Sequence, residues 1–339
     1  MRNTSFRSRR FCMKGIAAVV GGLALAASLP AHAQPDASYP SRPITIVVPH
    51  PPGGSVDGLA RIFAVKLGEE LKQSIIIDNR AGASGMVGAG VVARAQPDGY
   101  TLYLNASIHN INPLLYGKKM TFDAVKDFTP ISGLAQGALI LSVNNDVPAK
   151  TVKEFVSVVK AAPDKYNFAT TGFGSAGHLA IAQFAYEAGL SNLQIPIVLY
   201  KGGGPALTDL IGGQVHALAD PMLSSLPMVQ GGKIRALAVT GDRRSPLLPD
   251  VPTMQEAGLK DFEFYSWYGL WAPAGLPEPV LKRLDAAAQN VMQSASMKEQ
   301  LGNLGFESSY RNSADFAQYI QSETAKYGAI IKQANITAE

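Results

Sequence analysis

Three stretches hold most of the residues here that could do chemistry: Pro51-Pro-Gly-Gly-Ser-Val-Asp57, Ala81-Gly-Ala-Ser-Gly85 and Thr170-Thr-Gly-Phe-Gly-Ser-Ala-Gly-His178. Small residues such as Gly54 and Ala83 let a backbone approach a bound molecule closely. Ser55, Ser84, Thr170, Thr171 and Ser175 supply hydroxyl donors. A helix that begins at such a loop directs unpaired N–H groups and partial positive charge outward. That combination suits a carboxylate or a phosphate. Each loop alone is also explained as a tight turn with a helix cap, and Asp57 in particular reads as a cap. A fourth loop, Tyr200-Lys-Gly-Gly-Gly-Pro205, repeats the pattern and adds Lys201, either solvated or paired with an anion. Asp220-Pro221 ends an apolar run, where an acid could take a ligand ammonium or hydroxyl or brace the turn.

Other chemistries fit poorly. Gly172-x-Gly174-x-x-Gly177 matches a dinucleotide fingerprint in form, but the next strand ends Leu199-Tyr200-Lys201 with no acid for a ribose. No P-loop lysine pattern occurs, so no cofactor is expected. Ser175 has Phe173 two residues before it, which removes the nucleophile elbow of hydrolases. Ser175 and His178 lie three apart and could be neighbours on a first helical turn. They leave a secreted α/β hydrolase open as an alternative. His50, His109, His178 and His216 show no metal-ligand spacing. His50 and His109 fall just after strands, where a ligand could be met.

These loops need elements to hold them. Ile44–Val48, Ser74–Asp78 and Tyr100–Leu104 are apolar runs of strand length, each followed by a loop and a helical pattern. One such helix is expected from about Asp57, with Leu59, Ile62, Phe63 and Leu67 on one face. Asn105 and Ser107 follow the third strand and are placed near a ligand by that position. The middle repeats the scheme with strands at 138–143, 166–170, 195–200, 215–219 and 234–239, and a capping box at Thr151-x-x-Glu154. Tyr265–Trp271 is an aromatic strand whose Trp267 and Trp271 suit core or hinge packing, and helices are expected over 277–292 and 313–334. Repeated β-loop-α units predict parallel sheets with helices on both faces. Two such sheets exceed one ordinary core, so two α/β lobes are expected: 36–135 plus 250–339, and 136–249.

The 339 residues are 47% hydrophobic and 17% charged, which excludes a mainly disordered or coiled-coil chain. The net charge of +4 is local. Arg2, Arg7, Arg9, Arg10 and Lys14 precede an apolar run that ends in Ala31-His-Ala33, the pattern of a cleaved export signal over 1–33. Thirty basic side chains less those five leave 25 against 26 acidic, a near-neutral body without a nucleic-acid footprint. The one cysteine, Cys12, leaves with the signal, so thiol catalysis and disulfides are excluded. A periplasmic location follows.

Pro49-His-Pro-Pro-Gly-Gly-Ser-Val-Asp57-x-x-Ala-Arg61, Asp78-Asn-Arg-Ala-Gly-Ala-Ser-Gly85, Asp98-Gly-Tyr-Thr-Leu102, Asn112-Pro113-x-Leu-Tyr116 and Lys126-Asp-Phe-Thr-Pro-Ile131 occur in that order. Gly174-Ser-x-Gly-His178, Tyr200-Lys-Gly-Gly-Gly-Pro-Ala206, Gly213-Gln-Val215 and Pro249-Asp-Val-Pro-Thr253 follow. With these motifs the chain resembles the Bug-type extracytoplasmic solute receptors of tripartite tricarboxylate transporters, from about residue 39 to its end. The resemblance implies a type II periplasmic-binding-protein fold, with lobes hinged near 135–140 and 240–265. It implies a small carboxylate clamped between them and delivered to membrane permease subunits, and a monomer is expected. It carries Ser55, Ser84, Thr170, Ser175 and Asp220 over as ligand contacts. His50 stands where many relatives are more apolar. With His109 and Phe173 it could favour an aromatic or larger acid over an aliphatic one. A sensory receptor without a permease is a further alternative.

Overall fold

The computed structural model describes residues 39–337, so the expected export signal lies outside the described residues. Strands β1 (Ile44–Val48), β2 (Ile75–Asn79) and β3 (Thr101–Ala106) run parallel, with β1 in the middle. Helices α1 (Ser55–Leu71) and α2 (Met86–Ala93) follow β1 and β2, and α3 (Ile108–Tyr116) follows β3. In the second half β5 (Phe168–Thr170) lies between β6 (Ile197–Leu199) and β7 (Ala217–Pro221), all parallel. Around them stand α4 (Val152–Ala161), α5 (Ala176–Glu187), α6 (Gly203–Ile211) and α7 (Met222–Gln230).

Two long strands join these halves. The first is β4 (Phe128–Val143), which pairs through its early residues with β9 (Tyr265–Pro273) and β10 (Glu307–Arg311). Its later residues pair with β7 and with β8 (Arg235–Val239). The second, β9, also pairs with β3. Helices α8 (Glu278–Gln293), α9 (Ala295–Asn303) and α10 (Ser313–Gln333) complete the chain. The result is a mixed α/β fold, parallel within each half. This agrees with the expected mainly parallel sheets; the antiparallel part lies at the centre, where β9 runs antiparallel to β3 and β4, and β4 antiparallel to each of its neighbours. The path β2-β1-β3-β9-β4-β7-β5-β6 passes through both halves.

Side-chain alternation explains why the strands sit where they do. Ile44, Ile46 and Val48 pack into one core with Leu59, Phe63 and Leu67 of α1, while Val47 points into the opposite core. Strand β9 divides in the same way: Tyr268 and Leu270 on one side, Trp267 and Trp271 on the other. A strand covered on both faces has no polar side to spare, hence its continuous apolar run. Each such aliphatic or aromatic side chain contributes about 1.5–3 kcal/mol on burial. Trp267 Nε1 also donates to Tyr327 Oη (2.8 Å), anchoring α10 on β9. Thr151 caps α4 as its motif predicts, accepting from the Glu154 amide.

Candidate ligand-binding site

Three helices of the two halves begin around one cavity of about 140 Å³. From the first half it receives His50 to Val56, that is, the β1–α1 loop and the first turn of α1. From the second half come Thr171 and Ser175 to Gly177 at the start of α5, and Lys201 to Pro205 at the start of α6. Ala106 and Ile108 between β3 and α3, Asp220 and Pro221 at the end of β7, Ser224 in α7 and Ser266 in β9 complete the wall. The volume lies below the roughly 300–1,000 Å³ of drug-sized sites, so a small molecule suits it. The opening amides of an α-helix have no partner within the helix, so Ser55, Val56, Ala176, Gly177, Gly203 and Gly204 bring donors to this one space. Gly177 is required there. A Cβ at that position would lie 2.3 Å from the Ala219 carbonyl oxygen, so only glycine lets α5 start so close to β7.

The hydroxyl network on the α5 side is tight. Ser175 Oγ caps α5 by accepting from the His178 amide (3.1 Å), and it meets Thr170 Oγ1 at 3.1 Å. Thr171 Oγ1 donates to it at 3.3 Å. The His178 ring is engaged elsewhere, because Nδ1 accepts from the Gly174 amide (3.1 Å). Burial lowers its pKa to about 4. No hydrogen bond joins that imidazole to Ser175 Oγ, so the pair lacks the contact a nucleophile and its base need.

On the other side, Asp57 organises the β1–α1 loop. It is 3% exposed and accepts from the Gly53 amide (3.0 Å), Arg61 Nε (2.9 Å) and Asn79 Nδ2 (2.9 Å). Burial alone would raise its pKa, but these bonds and the Arg61 charge prevail and hold it below the usual value. His50 Nε2 lies 3.0 Å from Asn105 Oδ1, which also accepts from the Ala106 amide (2.8 Å). Asn105 Oδ1 is therefore the acceptor, and Nε2 carries the proton. Burial lowers the pKa of His50, with the Asn105 bond opposing. Beneath the cavity the buried Tyr268 hydroxyl lies beside Ser55 and Ser266, and burial raises its pKa to about 12.

Asp220 is the odd group. It is 2% exposed, and both of its protein partners, the hydroxyls of Ser224 and Ser225 (the latter at 3.0 Å), donate to the same oxygen, Oδ2. Burial pushes its pKa up to about 6 against those two bonds.

Of the predicted site residues, His50, Gly54, Ser55, Thr171, Ser175 and Asp220 line the cavity. Thr170 and Asn105 stand one bond behind, through Ser175 and His50. Ser107 is buried just after β3 and is not itself in the lining, although its neighbours Ala106 and Ile108 are. Ala83 and Ser84 do not line the cavity either. Ser84 Oγ meets Tyr116 Oη (3.1 Å), and the Tyr116 ring packs against Phe173 (5.8 Å), so this loop stands at a contact between α3 and the Thr171–Ser175 loop. His109 is 1% exposed, in an aromatic core with Tyr103, Phe122, Phe128 and Trp271, and burial lowers its pKa to about 4. Ser224 and Ser266 were not predicted. Ser224 could have been found from its spacing, four residues beyond Asp220 at a helix start. Among the described residues no group of His, Cys, Asp and Glu could hold a metal.

Residues 59–336 match the family model described as the tripartite tricarboxylate transporter family receptor. This chain belongs to that family. Among sequence relatives of the receptor is a protein from the tcbD-tcbE intergenic region of Pseudomonas sp. (strain P51). It is 35% identical over 322 residues, covering 94% of this chain and 95% of the relative. Among solved structures, R. palustris Rpa4515 with adipate is similar with a TM-score of 0.85 and 35% identity, covering 88% of this chain and 99% of that one. The periplasmic binding protein BugD is similar with a TM-score of 0.83 and 32% identity, covering 89% and 100%. The receptor is thus Bug-type, with the fold of periplasmic binding proteins.

Proposed function

We propose that this receptor captures a small organic carboxylate in the cavity at the starts of α1, α5 and α6 and hands it to the permease subunits of a tripartite tricarboxylate transporter. One observation carries the reading: the starts of α1, α5 and α6, with the hydroxyl residues Ser55 and Ser175, line one small space from both halves. The Rpa4515 structure, with adipate, supports the choice of a carboxylate. Ligand contacts are assigned to His50, Gly54, Ser55, Thr171, Ser175 and Asp220, with Asn105 and Thr170 holding His50 and Ser175 in position. The lobes are 36–135 plus 250–339 and 136–249, bending near 135–140 and 240–265. Donors on both lobes favour the closed form, because a ligand shifts an equilibrium by its differential affinity for the two states. The mature chain starts near Gln34, acts in the periplasm as a monomer and catalyses nothing.

A thermal-shift screen of aliphatic and aromatic carboxylates on the mature protein tests this. A ligand at one hundred times its Kd stabilises by about 2.7 kcal/mol, so the best acid raises Tm by several degrees. No shift with any acid, or turnover of esters abolished by Ser175→Ala, would defeat the proposal.

A further inference from the structure

Among the residues lining the cavity, amides and hydroxyls supply donors from both halves, and Asp220 is the one carboxylate. Asp220 Oδ2 is occupied by the Ser224 and Ser225 hydroxyls, whereas Oδ1 has no hydrogen-bond partner among the described residues. That oxygen borders the start of α6. A Cβ on Gly203 would lie 3.1 Å from Oδ1 and 3.3 Å from Oδ2, so glycine keeps the carboxylate approachable. Among the described residues no cation forms an ion pair with it. Lys201 lines the same cavity without an ion pair to Asp220, and Arg61 is committed to Asp57. A carboxylate-only ligand satisfies the helix starts but brings Oδ1 no donor of its own: the oxygen then faces hydrocarbon or a second negative group, both unfavourable for a buried acceptor, or must trap a water beside the ligand.

We infer that the ligand carries a hydroxyl or ammonium group beside its carboxylate, and that Asp220 Oδ1 accepts a hydrogen bond from it. The inference rests on the carboxylate reading of this cavity and adds the substituent. A site built to bond a ligand O–H or N–H rejects the analogue lacking it far more strongly than an apolar pocket rejects a missing methylene. The carboxyl of Asp220, pushed up to about 6 by burial, is mainly ionised above pH 7 and so available as an acceptor. Its isolation from positive charge favours a ligand that brings a polarised proton.

Calorimetry at pH 7.5 with matched series tests the inference: propanoate, lactate and alanine; succinate, malate and aspartate; glutarate, 2-hydroxyglutarate and glutamate; 3-phenylpropanoate, 3-phenyllactate and phenylalanine. In the series that binds best, the hydroxy or amino acid should bind at least tenfold more tightly than its unsubstituted parent. Asp220→Asn should reduce that ratio to less than threefold. A larger loss for the amine than for the alcohol identifies ammonium as the partner, and the reverse identifies hydroxyl. An unsubstituted parent that binds as tightly as both derivatives overturns the inference while leaving the carboxylate reading intact, as does a ratio unchanged in Asp220→Asn. If no acid of any series binds, both fall. The ratios in the unmodified receptor decide the matter even if the variant folds poorly.

Discussion

Asp57 and Asp220 are both carboxylates beside a helix start and almost wholly buried, yet the protein treats them in opposite ways. Asp57 receives the Gly53 amide, Asn79 and the Arg61 guanidinium, and its pKa falls. Asp220 receives two serine hydroxyls on one oxygen and no cation, and its pKa rises. Both are shut off from solvent, but Asp220 lies deeper among protein atoms, so a larger burial cost and fewer, uncharged donors together set the opposite direction. One acid is spent on holding a loop. The other is left incomplete inside the cavity, as groups reserved for a ligand often are.

Several substitutions would break or sharpen that contrast. The largest effect is expected from Asp57→Ala. It strands the Gly53 amide and Asn79 while half-exposed Arg61 can rehydrate, so stability should fall by about 2–4 kcal/mol in urea unfolding. Asp220→Asn should do the reverse. A folded pKa of about 6, raised above the ordinary 3.8 of an aspartate, means that this group favours the native state most below pH 3.8 and loses that advantage as pH rises to 6. Removing the charge should therefore add up to about 3 kcal/mol above pH 6 and almost nothing below pH 4, read from unfolding curves at each pH. A loss of stability at pH 7.5 would contradict the contrast. Ser175→Ala should weaken the best acid by about 1–3 kcal/mol in calorimetry, with about 1 kcal/mol of fold stability lost from the α5 cap. Smallest is Ser84→Gly. Ser84 holds a left-handed φ of 53° outside the cavity, so glycine should stabilise by about 0.5–1 kcal/mol and leave affinity within roughly twofold.

The outer strands and their loops were legible because apolar runs such as Ile44–Val48 and Ile75–Ile77 are bounded by glycine and hydroxyl clusters. The early part of β4 was not. Pro130, Gly133 and two bulges interrupt its pattern, and only pairing with β9 and β10 holds it as a strand. Helices α3 and α7 carry Pro113 and Pro227 inside them, and β10 is the polar stretch Glu-Ser-Ser-Tyr-Arg, so local signals argued against all three. For the site, a loop between strand and helix announced Ser55 and Ser175. Position after a strand did not distinguish His50 from His109, because that depends on which side of β3 the α3 segment packs. Ser266 is one alternate position on a buried aromatic strand, and nothing local sets it apart.

A crystal structure of the receptor with its tightest-binding acid tests the central claim most directly. The account predicts carboxylate oxygens about 2.7–3.2 Å from the Ser55 and Ser175 hydroxyls or the amides at the starts of α1, α5 and α6. An acid seated anywhere else, or held without contact to both halves, would contradict it.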